Sequence, residues 1–278
     1  MSRNLHQQYY KKYFGPESER IIDTRRHQPK QATLNWSDVK SADNALILAE
    51  RNKRLTAPNL LGENPQSLAT QKFELKVEYP GLITGIGINH EATIEGEFKL
   101  GMHFDWTYGM PVIYGSSVKG VLRSWFMESY KGDLDAGDLM MDIFSGVNQR
   151  DIEAEKNKYG DNWEKMVEDP EKRFYKFHKS IYDRDIFFDA VIVKPDKNGR
   201  ILCSDSITPH GDNPLKNPTP ITFMKIAPGC TLEFRFKLVN TEIQGKSLSA
   251  GRKLAIFKEI LSTVGIGAKT NVGYGQLS

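Results

Sequence analysis

Cysteine is scarce in this chain of 278 residues, which contains only Cys203 and Cys230 and no CxxC motif. Two isolated cysteines supply neither a disulfide framework nor a cysteine-rich zinc site. The sequence therefore excludes a small disulfide-stabilised scaffold, and a reducing, cytoplasmic environment is expected.

Long apolar runs are also missing. The longest is ALILA, residues 45–49, whereas a membrane-spanning helix needs about 20 apolar residues. The N-terminal residues MSRNLHQQ lack the apolar segment of a signal peptide. We therefore expect a cytoplasmic protein without a membrane partner.

Patterns for catalysis or metal binding are few. None of the six histidines belongs to an HxxxH or HExxH motif. His103 and Asp105, two residues apart in GMHFDW, are a candidate metal or acid–base pair, and His210 is a candidate base. A surface pair and an exposed loop histidine explain the same residues, and metal sites need more ligands. We expect no metal and no cofactor.

Charge is plentiful but unevenly distributed. The net charge of +3 hides basic ends, since residues 1–54 carry eleven Lys and Arg against six Asp and Glu. Residues 126–171 carry five against thirteen. Either the basic ends meet a polyanion while the acidic middle stays away from it, or these runs are ordinary solvated faces.

The order of predicted elements indicates an α+β fold. Residues 1–70 form a polar, helical N-terminal extension, with no β pattern before residue 72. Three strands are predicted from apolar residues, namely FELKVEY (73–79), IFFDAVIV (186–193) and TLEFRFKLV (231–239). Two amphipathic helices are predicted at GSSVKGVLRSWF (115–126) and SLSAGRKLAIFKEILSTV (247–264).

With the strand-like YGQL at the end, the order becomes β-α-β-β-α-β, the ferredoxin-like (RRM-like) plan. This domain spans residues 71–278. It carries insertions at 127–180 and at 195–220, the second expected to be a long proline-rich loop.

The segment GSSVKGVLR has the pattern of an anion-binding helix start. Gly115 forms the turn, Ser116 or Ser117 caps the helix, and the first N–H groups point outward. Lys119 and Arg123 are four residues apart and share one face. This pattern indicates a phosphate cradle, or else an ordinary capped helix with two solvated basic side chains. The apolar face of the helix is predicted to consist of Val118, Val121, Leu122, Trp125 and Phe126.

The chain ends in GIGAKTNVGYGQL, residues 265–277. It is not a nucleotide-binding P-loop, because Ala268 precedes Lys269 and the helix comes before the loop. We expect a backbone-lined surface for a sugar–phosphate chain, and the alternative is a flexible C-terminal turn. The candidate contacts are the glycines and the charged, hydrogen-bonding or stacking side chains, namely Gly265, Gly267, Lys269, Thr270, Asn271, Gly273, Tyr274 and Gly275.

The two motifs together resemble the RAMP superfamily of CRISPR effector proteins. PVIYGSSVKGVLRSWF, followed downstream by GIGAKTNVGYGQL, matches that family's helix start and its glycine-rich loop after the last helix. DSITPH…NPTPITFMKIAPG is similar to one branch, the subunit numbered six of the type III-B Cmr complex. The resemblance covers about residues 72–278, and Tyr114 stands where the family usually has proline.

The resemblance implies a function. Such a subunit belongs to a ribonucleoprotein with other Cmr subunits and grips guide CRISPR RNA near its 3′ end. It also holds the guide–target duplex, in antiviral defence against foreign RNA. Target cutting belongs to another subunit, through an aspartate that has no match here, so this chain is expected to be non-catalytic. One of the insertions would project as a thumb. The alternative is a metal-independent endoribonuclease that processes CRISPR RNA, using His210 or His103.

Overall fold

The computed structural model describes residues 4–15, 20–23, 28–31, 33–59, 61, 67–85, 94–98, 102–147, 157–158, 160, 179–208, 220–243 and 245–278. Its strands are β1 (Arg20–Asp23), β2 (Gln28–Gln31), β3 (Gln71–Lys76), β4 (Val112–Ile113), β5 (Ile186–Phe187), β6 (Ala190–Lys194), β7 (Leu202–Ile207), β8 (Ile221–Ile226), β9 (Thr231–Lys237), β10 (Thr241–Ile243) and β11 (Lys246–Leu248). The α-helices are α1 (Ala42–Thr56), α2 (Gly115–Ser129), α3 (Ala136–Met140) and α4 (Ala250–Val264).

The N-terminal region contains the predicted helices and also a hairpin. Gln7–Lys12 form a π-helix, and α1 begins after Ser41, whose hydroxyl accepts a hydrogen bond from the N–H of Asn44 at 3.3 Å. β1 and β2 pair antiparallel, so the expectation of no β structure before residue 72 was wrong. β2 reads QPKQ and has no alternation of apolar residues, so no strand signal was visible.

This N-terminal region packs into the same apolar core as the rest of the chain. Leu5, Tyr13 and Leu48 are buried in one cluster with the sheet residues. The N–H of Leu5 donates to the carbonyl of Gly109 at 2.8 Å.

A central antiparallel sheet has the strand order β3-β9-β6-β4, and β5 also pairs with β9. β9 is buried along its length because neighbours flank it on both sides. On the side of β3 that faces away from β9, Leu277 forms an antiparallel bridge with Val77. The strands predicted at 73–79 and 231–239 are present, and the one predicted at 186–193 is divided into β5 and β6, with a break at residues 188–189.

Helices α2 and α4 pack against each other and against one face of this sheet. The ring of Phe257 in α4 lies 6.5 Å from Phe126 in α2 and 5.5 Å from Phe236 in β9. Val118, Leu122 and Phe126 are buried as predicted. Trp125 is 42% exposed, so its assignment to the apolar face was wrong, because the buried stripe of α2 is narrower than the spacing indicated.

The expected long loop at 195–220 contains a strand. β7 pairs antiparallel with β8 over six residue pairs, from Leu202 opposite Ile226 to Ile207 opposite Ile221. The sequence CSDSI alternates partly buried and exposed residues, a weak signal in a segment followed by prolines. Residues 209–219, including His210, lie outside the described residues.

The insertion at 127–180 is described only in part. α2 continues to Ser129, and α3 is followed by a π-helix at Met141–Ser145. Most of the remainder lies outside the described residues. No helix in the described part of the chain is long and apolar enough to cross a membrane.

Candidate functional site

Helix α2 begins at Gly115, and the side chain of its N-cap residue, Tyr114, makes no capping hydrogen bond. The expectation that Ser116 or Ser117 is the cap was wrong, because both lie inside the first turn. The N–H groups of Ser117 and Val118 donate to the carbonyl of Tyr114, at 2.8 and 3.1 Å. Two amides near this helix end are therefore already bonded within the helix.

Gly115 lies where α2 meets the end of β5. Its N–H donates to Oδ1 of Asp189 at 2.7 Å. A Cβ on Gly115 would overlap the carbonyl oxygen of Phe187, so this close approach requires glycine. A carboxylate thus satisfies an amide that was expected to face a phosphate. Attraction of an anion to this end of α2 must come mainly from side chains.

Three basic side chains lie close together beside the first turns of α2. Burial lowers the pKa of Lys119, and the positive charges of Arg123 and Arg184 lower it further. Within the described ranges, none of the three forms an ion pair with a carboxylate. Crowded like charges destabilise one another, and a bound anion would relieve that repulsion.

Two of these side chains, Lys119 and Arg184, border a cavity of about 240 Å³. Its polar wall includes Ser116, Lys119 and Arg184, and its apolar wall includes Phe187. Nζ of Lys119 lies 5.8 Å from the centroid of the Phe187 ring. Nε of Arg184 is buried and has no hydrogen-bond partner among the described residues. We call this cavity, with Lys119, Arg123 and Arg184, the cationic cavity.

Asp185, which is among the residues that line the cationic cavity, forms a buried ion pair with Lys253. Nζ of Lys253 donates to Oδ2 of Asp185 at 2.6 Å, and the two side chains are 0% and 1% exposed. Burial raises the pKa of Asp185 and lowers that of Lys253, and the attraction between the two opposes both shifts. Because Asp185 follows Arg184 directly, this pair fixes the backbone that presents Arg184.

Sequence reasoning missed both Arg184 and Lys253. Arg184 is far along the chain from α2, and only the pairing of β5 with β9 brings it there. A usable signal did exist for Lys253, which lies four residues before Phe257 on the apolar stripe of α4. A lysine on such a stripe indicates a buried partner of opposite charge.

The glycine-rich loop at 265–277 packs against the protein's own backbone. Gly265 ends α4 with a φ of 71° and donates its N–H to the carbonyl of Leu261, as a C-cap should. The N–H of Gly275 donates to the carbonyl of Gly81 at 2.8 Å, and that of Ala268 to Ile83 at 2.9 Å.

Three glycines of this loop are required by those contacts. A Cβ on Gly265, Gly267 or Gly275 would overlap a carbonyl oxygen of Gly275, Ile83 or Ile266 respectively. All three also have positive φ, which side chains disfavour. The presence of glycine at these three positions is therefore explained without a ligand.

Tyr274 is a packing residue in this structure. It is 7% exposed, and its hydroxyl donates to Oδ2 of Asp205 at 2.9 Å. Asp205 also pairs with Lys225, whose Nζ lies 5.4 Å from the Tyr274 ring centroid. Burial and the neighbouring carboxylate raise the pKa of Tyr274 to about 12. The expectation of an open stacking face is corrected, because the ring lies against Phe223 inside the fold.

The exposed part of the loop is its tip. Lys269 has a φ of 60°, and its side chain and that of Asn271 are exposed, while Thr270 and Gly273 are half-buried. Gly267 is also exposed, so Gly267, Lys269 and Asn271 are the candidate contacts of this loop that solvent reaches most freely.

The structure does not bring the loop and the cationic cavity together. The cavity is beside Phe187 of β5, which pairs with Phe236 of β9. On the other side of β9, Phe236 pairs with Gln71 at the start of β3. The loop ends at Leu277, which bridges to Val77 just past the other end of β3. At about 3.3 Å per residue, these positions are about 20 Å apart along the strand.

His103 and Asp105 make separate contacts in this structure. Oδ1 of Asp105 accepts hydrogen bonds from the N–H and hydroxyl of Thr107, at 2.8 and 3.0 Å, and so holds a turn. The His103 ring stacks on Tyr114 at 4.3 Å, and burial lowers its pKa, an effect that Asp189 opposes. No group of three potential metal ligands occurs among the residues that the structure describes.

Comparison with known proteins gives a family match and a set of similar solved structures. The family model of the RAMP superfamily matches residues 74–278. A search of curated protein sequences finds no match.

One similar structure is the cryo-EM structure of the type III-B Cmr-beta bound to cognate target RNA, with 18% identity and a TM-score of 0.47. That match covers 74% of this chain and 57% of the other, so this chain spans little more than half of its length. The other is the crystal structure of Cmr6 from Pyrococcus furiosus, with 20% identity, a TM-score of 0.34, and coverage of 74% and 96%.

Proposed function

Because this chain belongs to the RAMP superfamily, we propose that it is a non-catalytic RNA-binding subunit of a type III-B CRISPR effector complex. In this role it binds guide RNA and the guide–target duplex through phosphate and ribose, independently of base sequence. Its partners are the other subunits of the complex, and the RNA that it helps to recognise is foreign.

The observation that carries this proposal is the cationic cavity. Lys119, Arg123 and Arg184 lie together without a carboxylate partner in the described parts of the chain. Basic side chains on a phosphate fix the position of a nucleic acid without reading its sequence. A guide-binding subunit needs that property, because the guide sequence varies.

The strand order supports a ferredoxin-like core for this subunit. Leu277 lies beside β3, followed by β9 and β6, and α2 and α4 pack on one face. Numbered along the chain, β3 is strand one, β6 is two, β9 is three and the segment at Leu277 is four. Their order in the sheet is then four-one-three-two, which is the order of a β-α-β-β-α-β unit.

Position near the 3′ end of the guide is the finer part of the proposal. It rests on the resemblance of DSITPH…NPTPITFMKIAPG to the Cmr subunit numbered six. Residues 209–219 of that segment lie outside the described residues. That one of the two insertions, 127–180 or 195–220, projects as a thumb therefore stays a prediction.

A non-catalytic role agrees with the geometry of His103 and Asp105. The carboxylate of Asp105 is used in a turn, and the His103 ring is stacked on Tyr114. His210 remains the candidate for the alternative, an endoribonuclease that processes CRISPR RNA.

The test is a salt series of RNA binding by the full-length chain. Fluorescence anisotropy would give Kd for several unrelated single-stranded RNAs, with wild type and the double variant Lys119→Ala, Arg123→Ala. Losing two phosphate contacts should weaken binding equally for all sequences and reduce the slope of log Kd against log salt by about 1.4.

The matched control removes two exposed positive charges from α4, with Arg252→Ala and Lys258→Ala. A smaller loss is expected, because these side chains do not border the cavity. Equal losses in both double variants, or a loss confined to some sequences, would contradict the proposal. Cleavage of repeat RNA in EDTA would contradict the non-catalytic role.

A further inference from the structure

The rim of the cationic cavity carries an exposed aromatic side chain. Residues Ile181–Asp183 form a short 3-10 turn, capped by the hydroxyl of Ser180, which accepts from the N–H of Tyr182 at 3.3 Å. Ile181 lines the cavity, and Arg184 follows the turn. Tyr182, between them, is 78% exposed.

Lys237 holds this tyrosine in place. Its Nζ donates to the carbonyl of Tyr182 at 2.9 Å and lies 5.7 Å from the centroid of the ring. Lys237 is opposite Ile186 in the pairing of β5 with β9, and Ile186 lines the cavity. A cation near a tyrosine ring stabilises its position while leaving most of the ring accessible.

The other exposed aromatic side chains lack this combination. Trp106 packs on His6, at 4.4 Å between ring centroids, and not on a cation. Tyr79 is 83% exposed but follows the opposite end of β3, away from the cationic cavity. Only around Tyr182, among the described residues, do a ring, a cation against it and a cavity bordered by two further cations occur together.

Resting on the proposed function, we propose that the cationic cavity and Tyr182 form a subsite for one unpaired nucleotide of RNA. The phosphate enters the cavity, where Lys119, Arg184 and the hydroxyl of Ser116 can bind it. The base of that nucleotide stacks on the ring of Tyr182.

This arrangement selects an unstacked base over a base in a duplex. Stacking on an aromatic side chain needs a free face, which every base has and which A-form helices hide between neighbouring pairs. The subsite is therefore independent of sequence but specific for a single-stranded or splayed nucleotide.

The experiment compares Tyr182→Ala, Tyr182→Phe and the matched control Tyr79→Ala in the full-length chain. Anisotropy would measure Kd for a single-stranded RNA and for a blunt RNA duplex of the same length, over a salt series. Tyr182→Ala should weaken single-strand binding about tenfold, the effect of losing one stacked base. Tyr182→Phe should bind like wild type, and Tyr79→Ala should lose little.

Tyr182→Ala should also leave the salt slope unchanged, because no phosphate contact is lost. Duplex binding should change much less than single-strand binding. Unchanged single-strand binding in Tyr182→Ala, or an equal loss for the duplex, would overturn this inference. If the Lys119 and Arg123 double variant still lost affinity, the proposed function would stand without it; if that variant bound like wild type, the proposed function itself would fail.

Discussion

The sequence motifs of the cationic cavity and of the glycine-rich loop both combine glycine with lysine. In the structure, however, the glycines of the two motifs have different roles. In the loop, glycines let the backbone approach Gly81 and Ile83 of the same chain. At the cavity, glycine admits α2 close to β5, and the basic side chains are left without acidic partners.

The comparison teaches which signal indicates a ligand. Glycine frees the backbone, but the partner of that backbone can be the protein itself. A cluster of cationic side chains without a carboxylate partner in the protein is a stronger indication of a ligand. A bound anion would relieve the repulsion between these side chains. The stability of single variants tests this contrast.

The largest effect is expected from the buried pair that supports the cavity wall. Lys253→Met leaves the buried carboxylate of Asp185 without its cation and should lower the free energy of unfolding by about 3 to 5 kcal/mol. Urea denaturation measures this change. Adding Asp185→Asn should recover part of the loss, since the amide oxygen can still accept from the N–H of Val239.

The control for this variant is an exposed ion pair on the same sheet. Lys194 and Glu74 are paired at 2.8 Å, with 65% and 45% of their side chains exposed. Lys194→Ala should cost at most about 1 kcal/mol. Similar losses for the two lysine variants would mean that burial does not distinguish them.

The second effect tests the glycine-rich loop. Gly275→Ala places a Cβ against the carbonyl of Ile266 at a φ of +75° and should destabilise the fold by about 2 to 3 kcal/mol. Gly251→Ala is the control, because nothing lies within 4 Å of its Cβ position in α4. Thermal unfolding would compare them, and a Gly275→Ala protein as stable as the control would remove the packing explanation.

Much of this fold was predictable from the sequence. The strands around Phe73, Ile192 and Phe234 and the helices α2 and α4 were predicted from apolar periodicity, because burial on one face imposes that period. The predicted family is confirmed by the match over residues 74–278. β7 was missed because its apolar signal is weak and its pairing partner β8 follows a stretch rich in prolines.

The candidate site was predictable only where neighbours in space are neighbours in sequence. Lys119 and Arg123 share a helix face by spacing alone. Arg184 and Tyr182 join them through the pairing of β5 and β9, which no local pattern indicates. The burial of Tyr274 also depends on contacts with β7 and β8.

The third effect concerns the hydrogen bond between Tyr274 and Asp205. The pKa of Tyr274 is raised from 10.0 to about 12, so its contribution is complete below pH 10 and is lost as the pH rises through 12. Tyr274→Phe should cost about 1 kcal/mol near neutral pH. As the pH rises from 10 to 12, the free energy of unfolding should fall less for the Tyr274→Phe variant than for wild type. Urea denaturation at a series of pH values measures this difference. Tyr182→Phe, at a position that is 78% exposed, should follow the wild-type profile.

The smallest effect is expected at Gly120, between the two basic residues of α2. A Cβ there meets nothing within 4 Å, and alanine favours a helix interior over glycine by about 0.5 to 1 kcal/mol. Gly120→Ala should therefore raise the melting temperature slightly and leave RNA affinity unchanged, because Lys119 and Arg123 keep their positions. If affinity fell while stability rose, RNA backbone would have to lie against Gly120. The contrast with the loop would then weaken, since a glycine of α2 would be required by a ligand.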